Sequence, residues 1–200
     1  MTNTNEYQFT QDWFSWAPSV WENLIPHMSS RRRFLEVGSF EGRSAVWIVE
    51  NMLEDGGELL CIDTWAGGED HKCNELSGAY ERFAHNISLV QEKFPRRFVE
   101  IIHEKSVFAL AKLLDDSDFH NAFDFVYIDG SHTAPDVLTD ACMSWPLVAR
   151  GGFVVFDDYA WGDPRDVLHR PKLAVDSFCN TFAEQMELVH AGQQFIVRKK

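Results

Sequence analysis

Five short apolar runs alternate with segments of helical period, and this alternation constrains the chain most. The runs are 33–37 (RFLEV), 58–63 (ELLCID), 100–103 (EIIH), 123–129 (FDFVYID) and 153–156 (FVVF). Helical patterns follow at 42–53, near 75–93, at 106–114 and near 134–148. Strand–helix alternation of this kind predicts an α/β fold whose mostly parallel sheet is covered by helices. The run at 123–129 is nearly continuous in apolar residues, as a central parallel strand must be. The pattern then changes. Pro171 opens a helical stretch with Ala174, Phe178 and Phe182 on one stripe, and MELVHAGQQFIVRKK sets two short strands around a glycine-containing turn. The sheet is therefore expected to end in an antiparallel hairpin.

Length and charge narrow the classes. At 200 residues the chain is expected to form one domain, 1–200, with an aromatic-rich cap over 1–30 and a core over 31–200. No apolar run reaches the roughly 20 residues of a membrane span. The N-terminus lacks a basic start and an apolar core, so a cytoplasmic location is expected. A formal charge of −13 disfavours nucleic acid as the main partner, because phosphate binding needs clustered Lys and Arg. Arg31, Arg32 and Arg33 form a basic block, which reads as a solvated lead-in to the first strand. Cys61, Cys73, Cys142 and Cys179 are far apart, have no CxxC spacing and read as reduced, mostly core thiols. Trp13, Phe14, Trp16 and Trp21 crowd the segment before the first strand. They read as packing on the sheet or as a cap over a pocket, and their exposure would suit a homodimer contact.

The first strand leads into Glu36-Val37-Gly38-Ser39-Phe40-Glu41-Gly42-Arg43-Ser44. Glycines at this point allow a sharp turn and close approach of backbone to a ligand. The helix that follows presents free N–H groups, and Ser44 lies in its first turn. The second strand ends in Asp63, placed to take both hydroxyls of a ribose. This is the layout for an adenosine cofactor. A dinucleotide site would show GxGxxG. Here the spacing is Gly-x-x-x-Gly after Glu36, and a carboxylate there suits a cofactor with an ammonium group better than a pyrophosphate.

The other half of the site is acidic. Asp129 ends the fourth strand, and Asp157 and Asp158 end the fifth. Ligands of open α/β sheets bind beyond the carboxyl ends of the strands. Three carboxylates converging there would hold a proton between them unless a cation neutralises them. Oxygen ligands with open positions suit Mg²⁺, Mn²⁺ or Ca²⁺ rather than zinc. A metal-bound hydroxyl loses its proton more readily and is held at a fixed angle. His132 is a candidate general base or substrate anchor, or a loop histidine capping the next helix. Without a metal, Asp157 and Asp158 would bind acceptor or water directly.

The motif at 36–44, with Cys61-Ile62-Asp63-Thr64-Trp65, resembles the first two motifs of class I S-adenosylmethionine-dependent methyltransferases. The likeness continues through Tyr127-Ile128-Asp129-Gly130-Ser131-His132 and Gly151-Gly152 to Asp157-Asp158-Tyr159, and covers 33–198. It implies a three-layer, Rossmann-like, seven-stranded sheet with an antiparallel C-terminal hairpin. It also implies that Gly38, Ser39 and Gly42 wrap the methionine part of the cofactor and that Asp63 holds the ribose. Trp65 would lie near the adenine, Ser106 would contact the ring, and Asp129 would border the transferred methyl. The Asp129 to Tyr159 segment and Ala174-Val175-Asp176-x-Phe178 resemble the metal-dependent O-methyltransferases of antibiotic and sugar tailoring in secondary metabolism. Where the macrolide-sugar group often carries an acidic residue after Asp-Gly, this chain has Ser131-His132. The resemblance implies methylation of a small-molecule hydroxyl. The alternatives are an NAD(P)-dependent oxidoreductase and a methyltransferase-like protein that binds cofactor without catalysis.

Overall fold

The computed structural model describes residues 6–67 and 76–200. A short helix α1 (Pro18–Trp21) precedes β1 (Arg33–Val37). Then come α2 (Arg43–Trp47), β2 (Glu58–Asp63), α3 (Ala79–Lys93), β3 (Phe98–His103), α4 (Ser106–Asp115), β4 (Phe123–Ile128), α5 (Ala134–Ser144), β5 (Val148–Phe156), α6 (Lys172–Thr181), β6 (Met186–Ala191) and β7 (Phe195–Lys199). The strands form one seven-stranded sheet in the order β3-β2-β1-β4-β5-β7-β6. Strands β1 to β5 are parallel, and β7 runs antiparallel between β5 and β6. The fold is the seven-stranded, mostly parallel sandwich with an antiparallel end that the sequence pattern and the resemblance imply.

Period-two alternation sorts β1 between two cores. Phe34 packs with Ala45, Val46, Phe83 and Ile87 of α2 and α3 on one face. Leu35 and Val37 pack with Leu110, Val137 and Phe178 of α4, α5 and α6 on the other. The central strands β1, β4 and β5 are buried along most of their length, because helices cover both faces. The topological switch lies between β1 and β4, which are neighbours although β2 and β3 intervene in the chain. A crevice opens there, beyond the carboxyl ends of the strands.

Several boundaries differ from the sequence reading for local reasons. The helix expected over 42–53 widens after Trp47 into a π turn, in which Leu53 N donates to Ile48 O. The helix expected near 134–148 is α-helical only to Ser144 and tightens into a 3-10 turn over Trp145–Leu147, where Pro146 has no N–H to continue the α-helical bonding. The fifth strand begins at Val148, and its register on β4 shifts between Phe123 and Phe125. Gly152 permits this, because a Cβ there would lie 2.8 Å from Phe123 O. Cys142 is exposed rather than core, Cys61 is buried, and Cys73 lies outside the described residues.

Candidate active site

The glycine turn is stitched to both neighbouring strands. Gly38 N donates to Ile62 O of β2, and Asp129 N, just past β4, donates to Val37 O. Gly38 has φ +85°, and a Cβ there would stand 2.2 Å from Asp129 O. Only glycine fits, so Gly38 and Asp129 are forced into contact. Asp63 binds the same turn: its Oδ2 accepts from Ser39 N and Phe40 N, each at 2.8 Å. Its Oδ1 accepts from Trp65 N at 2.7 Å, and Trp65 Nε1 closes the ring by donating to Phe40 O. Trp65 packs on Tyr80, Phe83 and His103. Gly42 begins α2 with φ +77°, and a Cβ there would press on the Phe83 ring.

Glu36 is placed differently from the cofactor-facing position expected of it. It is fully buried behind the turn and is not on the pocket wall. Its carboxylate accepts from Ser39 Oγ at 2.6 Å and Ser44 Oγ at 2.5 Å, with Cys61 Sγ at 3.5 Å. Burial pushes its pKa up to about 7 against the opposing pull of these donors. Ser106 opens α4 on the pocket wall and hydrogen-bonds Asp140, whose own pKa burial pushes up to about 6.

The three strand-end aspartates, expected together as metal ligands, divide between two settings, and His132 rather than Asp157 completes the cluster of potential ligand atoms. Asp129 and Asp158, together with His132, bring one potential ligand atom each to within 4.8 Å of one another. His132 Nε2 lies 2.9 Å from Asp158 Oδ2, and its ring packs 4.5 Å from that of Trp161. Asp158 has φ 53°, a left-handed backbone that aims it away from its predecessor. Asp157 turns inward. Its Oδ2 accepts from Gln194 Nε2 at 3.0 Å and from the Tyr127 hydroxyl, and its Oδ1 accepts from Asp158 N at 2.7 Å. The Tyr127 oxygen is also 2.8 Å from Asp129 Oδ2. One hydroxyl proton cannot serve both carboxylates. Burial and the charges of Asp157 and Asp158 accordingly hold Asp129 well above the usual carboxylate range. A divalent cation among Asp129, His132 and Asp158 would reverse that penalty, so the donor set fits such an ion.

These groups line one cavity of about 1440 Å³. Gly38, Ser39, Ser44, Asp63, Trp65, Ser106, Asp129, His132, Asp157 and Asp158 all border it, whereas Glu36 and Gly42 do not. The N-terminal aromatics split between the two roles considered for them. Phe14 and Trp21 are core, with Trp21 edge-on to Phe125 and Tyr127. Trp13 and Trp16 are half-exposed on the cavity wall, and Trp13 stacks on Phe40 at 5.1 Å. Thr10 N and Oγ donate to buried Glu41, which also pairs with Arg82 at 2.5 Å and ties the N-terminal segment to α3.

Sequence reasoning passed over Tyr127, Glu41, Asp140 and Gln194. Asp140 left a signal, a carboxylate on the same helical stripe as Val137, Ala141 and Ser144. Tyr127 left another, the one hydroxyl in an apolar strand two residues before Asp129. Gln194 left none, because its partners come from distant segments.

A model of the methyltransferase domain matches residues 35–159. An uncharacterised protein of Acanthamoeba polyphaga mimivirus is 24% identical over 129 residues, which are 63% of this chain and 51% of that one. The chain thus spans about half the length of this curated relative. Among solved structures, a Bacillus cereus O-methyltransferase in complex with SAH superposes with a TM-score of 0.62 at 15% identity, over 96% of this chain and 84% of that one. MycE methyltransferase of the mycinamycin biosynthetic pathway, in complex with Mg and SAH, gives 0.61 at 16% identity, over 94% and 51%. With the family match covering the glycine turn, Asp63 and the strand-end aspartates, the chain belongs to the methyltransferase-domain family, in the class I S-adenosylmethionine-dependent group.

Proposed function

We propose that this protein transfers the methyl group of S-adenosylmethionine to a hydroxyl of a small molecule, with a divalent cation held by Asp129, His132 and Asp158. The observation that carries the proposal is the convergence of these three residues beside the Gly38 turn. The resemblance of the SAH and Mg complexes of MycE supports it. When bound, such an ion lowers the pKa of a coordinated hydroxyl and fixes its direction of attack.

The chain's own residues do the rest. The Gly38–Gly42 turn and Asp63 seat the cofactor at the switch between β1 and β4, next to Asp129. Asp129 and Asp158 supply negative charge where the acceptor loses its proton. Trp13, Trp16, Trp161 and Leu168 border the cavity as apolar surface for the body of the acceptor. Among the described residues, nine Asp and Glu line the same cavity against Arg43 and Lys105, which disfavours a phosphate-bearing acceptor. A second reading rests on the 2.9 Å approach of His132 to Asp158. There Asp158 orients His132 as a general base, and no metal is needed.

The test is transfer of labelled methyl from S-adenosylmethionine to a panel of neutral hydroxyl acceptors, with Mg²⁺ or after exhaustive chelation. The proposal expects product that depends on the ion. Full turnover after chelation overturns the metal and selects the His132–Asp158 base. Transfer only to amines or to nucleic acid overturns the acceptor class.

A further inference from the structure

The β6–β7 turn sends one polar side chain into the core behind the site. Gln194 is 0% exposed. The antiparallel register that pairs Phe156 with Phe195 brings it beside Asp157. Its Oε1 accepts from Trp21 Nε1 at 2.7 Å, and its Nε2 donates to Asp157 Oδ2 at 3.0 Å. An indole nitrogen can only donate. The amide oxygen must therefore face Trp21, which leaves the amide nitrogen facing Asp157. Trp21 is itself fully buried and cannot turn away. A continuous buried chain results: Trp21, Gln194, Asp157, Tyr127, Asp129. It begins on the N-terminal helix and ends at the pocket.

We propose that Gln194 is a positioning residue for the cation site. By holding Asp157 inward against Tyr127, it leaves Asp129 and Asp158 as the pair of carboxylates that faces the ion. The inference rests on the metal reading above. Its physical content is a selection between adjacent aspartates. Asp157 is held by Gln194 Nε2, by Asp158 N and by the Tyr127 hydroxyl it shares with Asp129, while Asp158, whose backbone N–H anchors Asp157 Oδ1, brings a carboxylate oxygen to 2.9 Å from His132 Nε2. Groups bonded directly to metal ligands commonly change metal affinity about 10–100-fold when removed; Gln194 acts one step further back, through the bond of Asp157 to Asp158 N, so the low end of that range is expected.

The test uses the full chain, with Mn²⁺ and S-adenosylhomocysteine titrated separately by calorimetry. Gln194→Met keeps the side-chain length and removes both hydrogen bonds. We expect its Mn²⁺ dissociation constant to rise about tenfold, with S-adenosylhomocysteine affinity unchanged within about twofold. Trp21→Phe keeps Gln194 but frees its amide to flip, so a smaller loss of Mn²⁺ affinity is expected, again without loss of the cofactor product. The double variant should lose no more than Gln194→Met alone, since both act through one chain. Unchanged Mn²⁺ affinity overturns the inference, and so does a parallel loss of both ligands, which would mark a merely structural role. Absence of Mn²⁺ binding by the unmodified protein overturns the metal reading and this inference with it. If Gln194→Met does not fold, Trp21→Phe decides by the same two criteria.

Discussion

Asp157 and Asp158 are chemically identical neighbours on one cavity wall, yet the first is buried among protein donors and the second is a third exposed beside His132. The sequence places both at the end of a buried strand and cannot separate them. What separates them is the left-handed backbone at Asp158 and a glutamine from a hairpin 37 positions away. The acidic and cofactor halves of the site should likewise fail differently. Asp158→Asn is expected to cut turnover roughly 100-fold, the scale of one lost acid–base or positioning group, with S-adenosylhomocysteine affinity nearly unchanged. Asp63→Ala should do the reverse, weakening the cofactor product about tenfold or more, since charge-assisted bonds carry about 1.5–3 kcal/mol. Binding and kinetic measurements on both variants check this, and equal effects on the two quantities would contradict the division. Glu36 gives a prediction of another kind. Its folded pKa of about 7 lies above its ordinary 4.5, so the folded protein keeps a proton that the unfolded chain releases between those values. Stability should fall as pH rises through that window, by up to about 3 kcal/mol. Glu36→Gln should remove that part of the slope in urea unfolding at pH 5 and pH 8, and an unchanged slope would contradict the buried, protonated Glu36.

Most elements were legible because apolar period and turn residues agree along the chain. The parallel strands and the terminal hairpin lie where the alternation places them. Two features were not legible. The π turn after Trp47 arises from how α2 packs on the sheet, and the early start of β5 depends on Gly152 clearing Phe123 O. The β1–α2 connection is the element on which the site depends most, and its glycines can be tested against an internal control. Gly56 has φ +86° and open space around it, so Gly56→Ala measures backbone strain alone, about 1 kcal/mol. Gly38→Ala adds a collision with the Asp129 backbone to similar strain. It should destabilise by several times as much, at least ~3 kcal/mol, and abolish S-adenosylhomocysteine binding. Chemical unfolding of the two variants decides, and equal costs would show that the turn and β4 are not locked together.

At the scale of the whole molecule, the sheet order explains how distant motifs share one cavity. The switch between β1 and β4 sets the glycine turn beside Asp129, and the β4–β5 pairing adds Asp158. The motifs themselves could be read from the chain. The way Trp21, Gln194 and Glu41 tie the N-terminal segment and the hairpin to them could not, since these contacts exist only in the packed state. Binding should stabilise the molecule as a unit. S-adenosylhomocysteine at 100 times its dissociation constant should add about 2.7 kcal/mol, read as a rise in melting temperature that NAD⁺ does not produce. Stabilisation by NAD⁺ alone would favour an oxidoreductase. The central claim, that a cation sits among Asp129, His132 and Asp158 beside the cofactor, is tested most directly by anomalous diffraction from crystals grown with S-adenosylhomocysteine and Mn²⁺. One manganese peak is expected in contact with those three side chains, with Asp157 still bonded to Tyr127 and Gln194. A peak coordinated by Asp157, or no peak in the cavity, would contradict it.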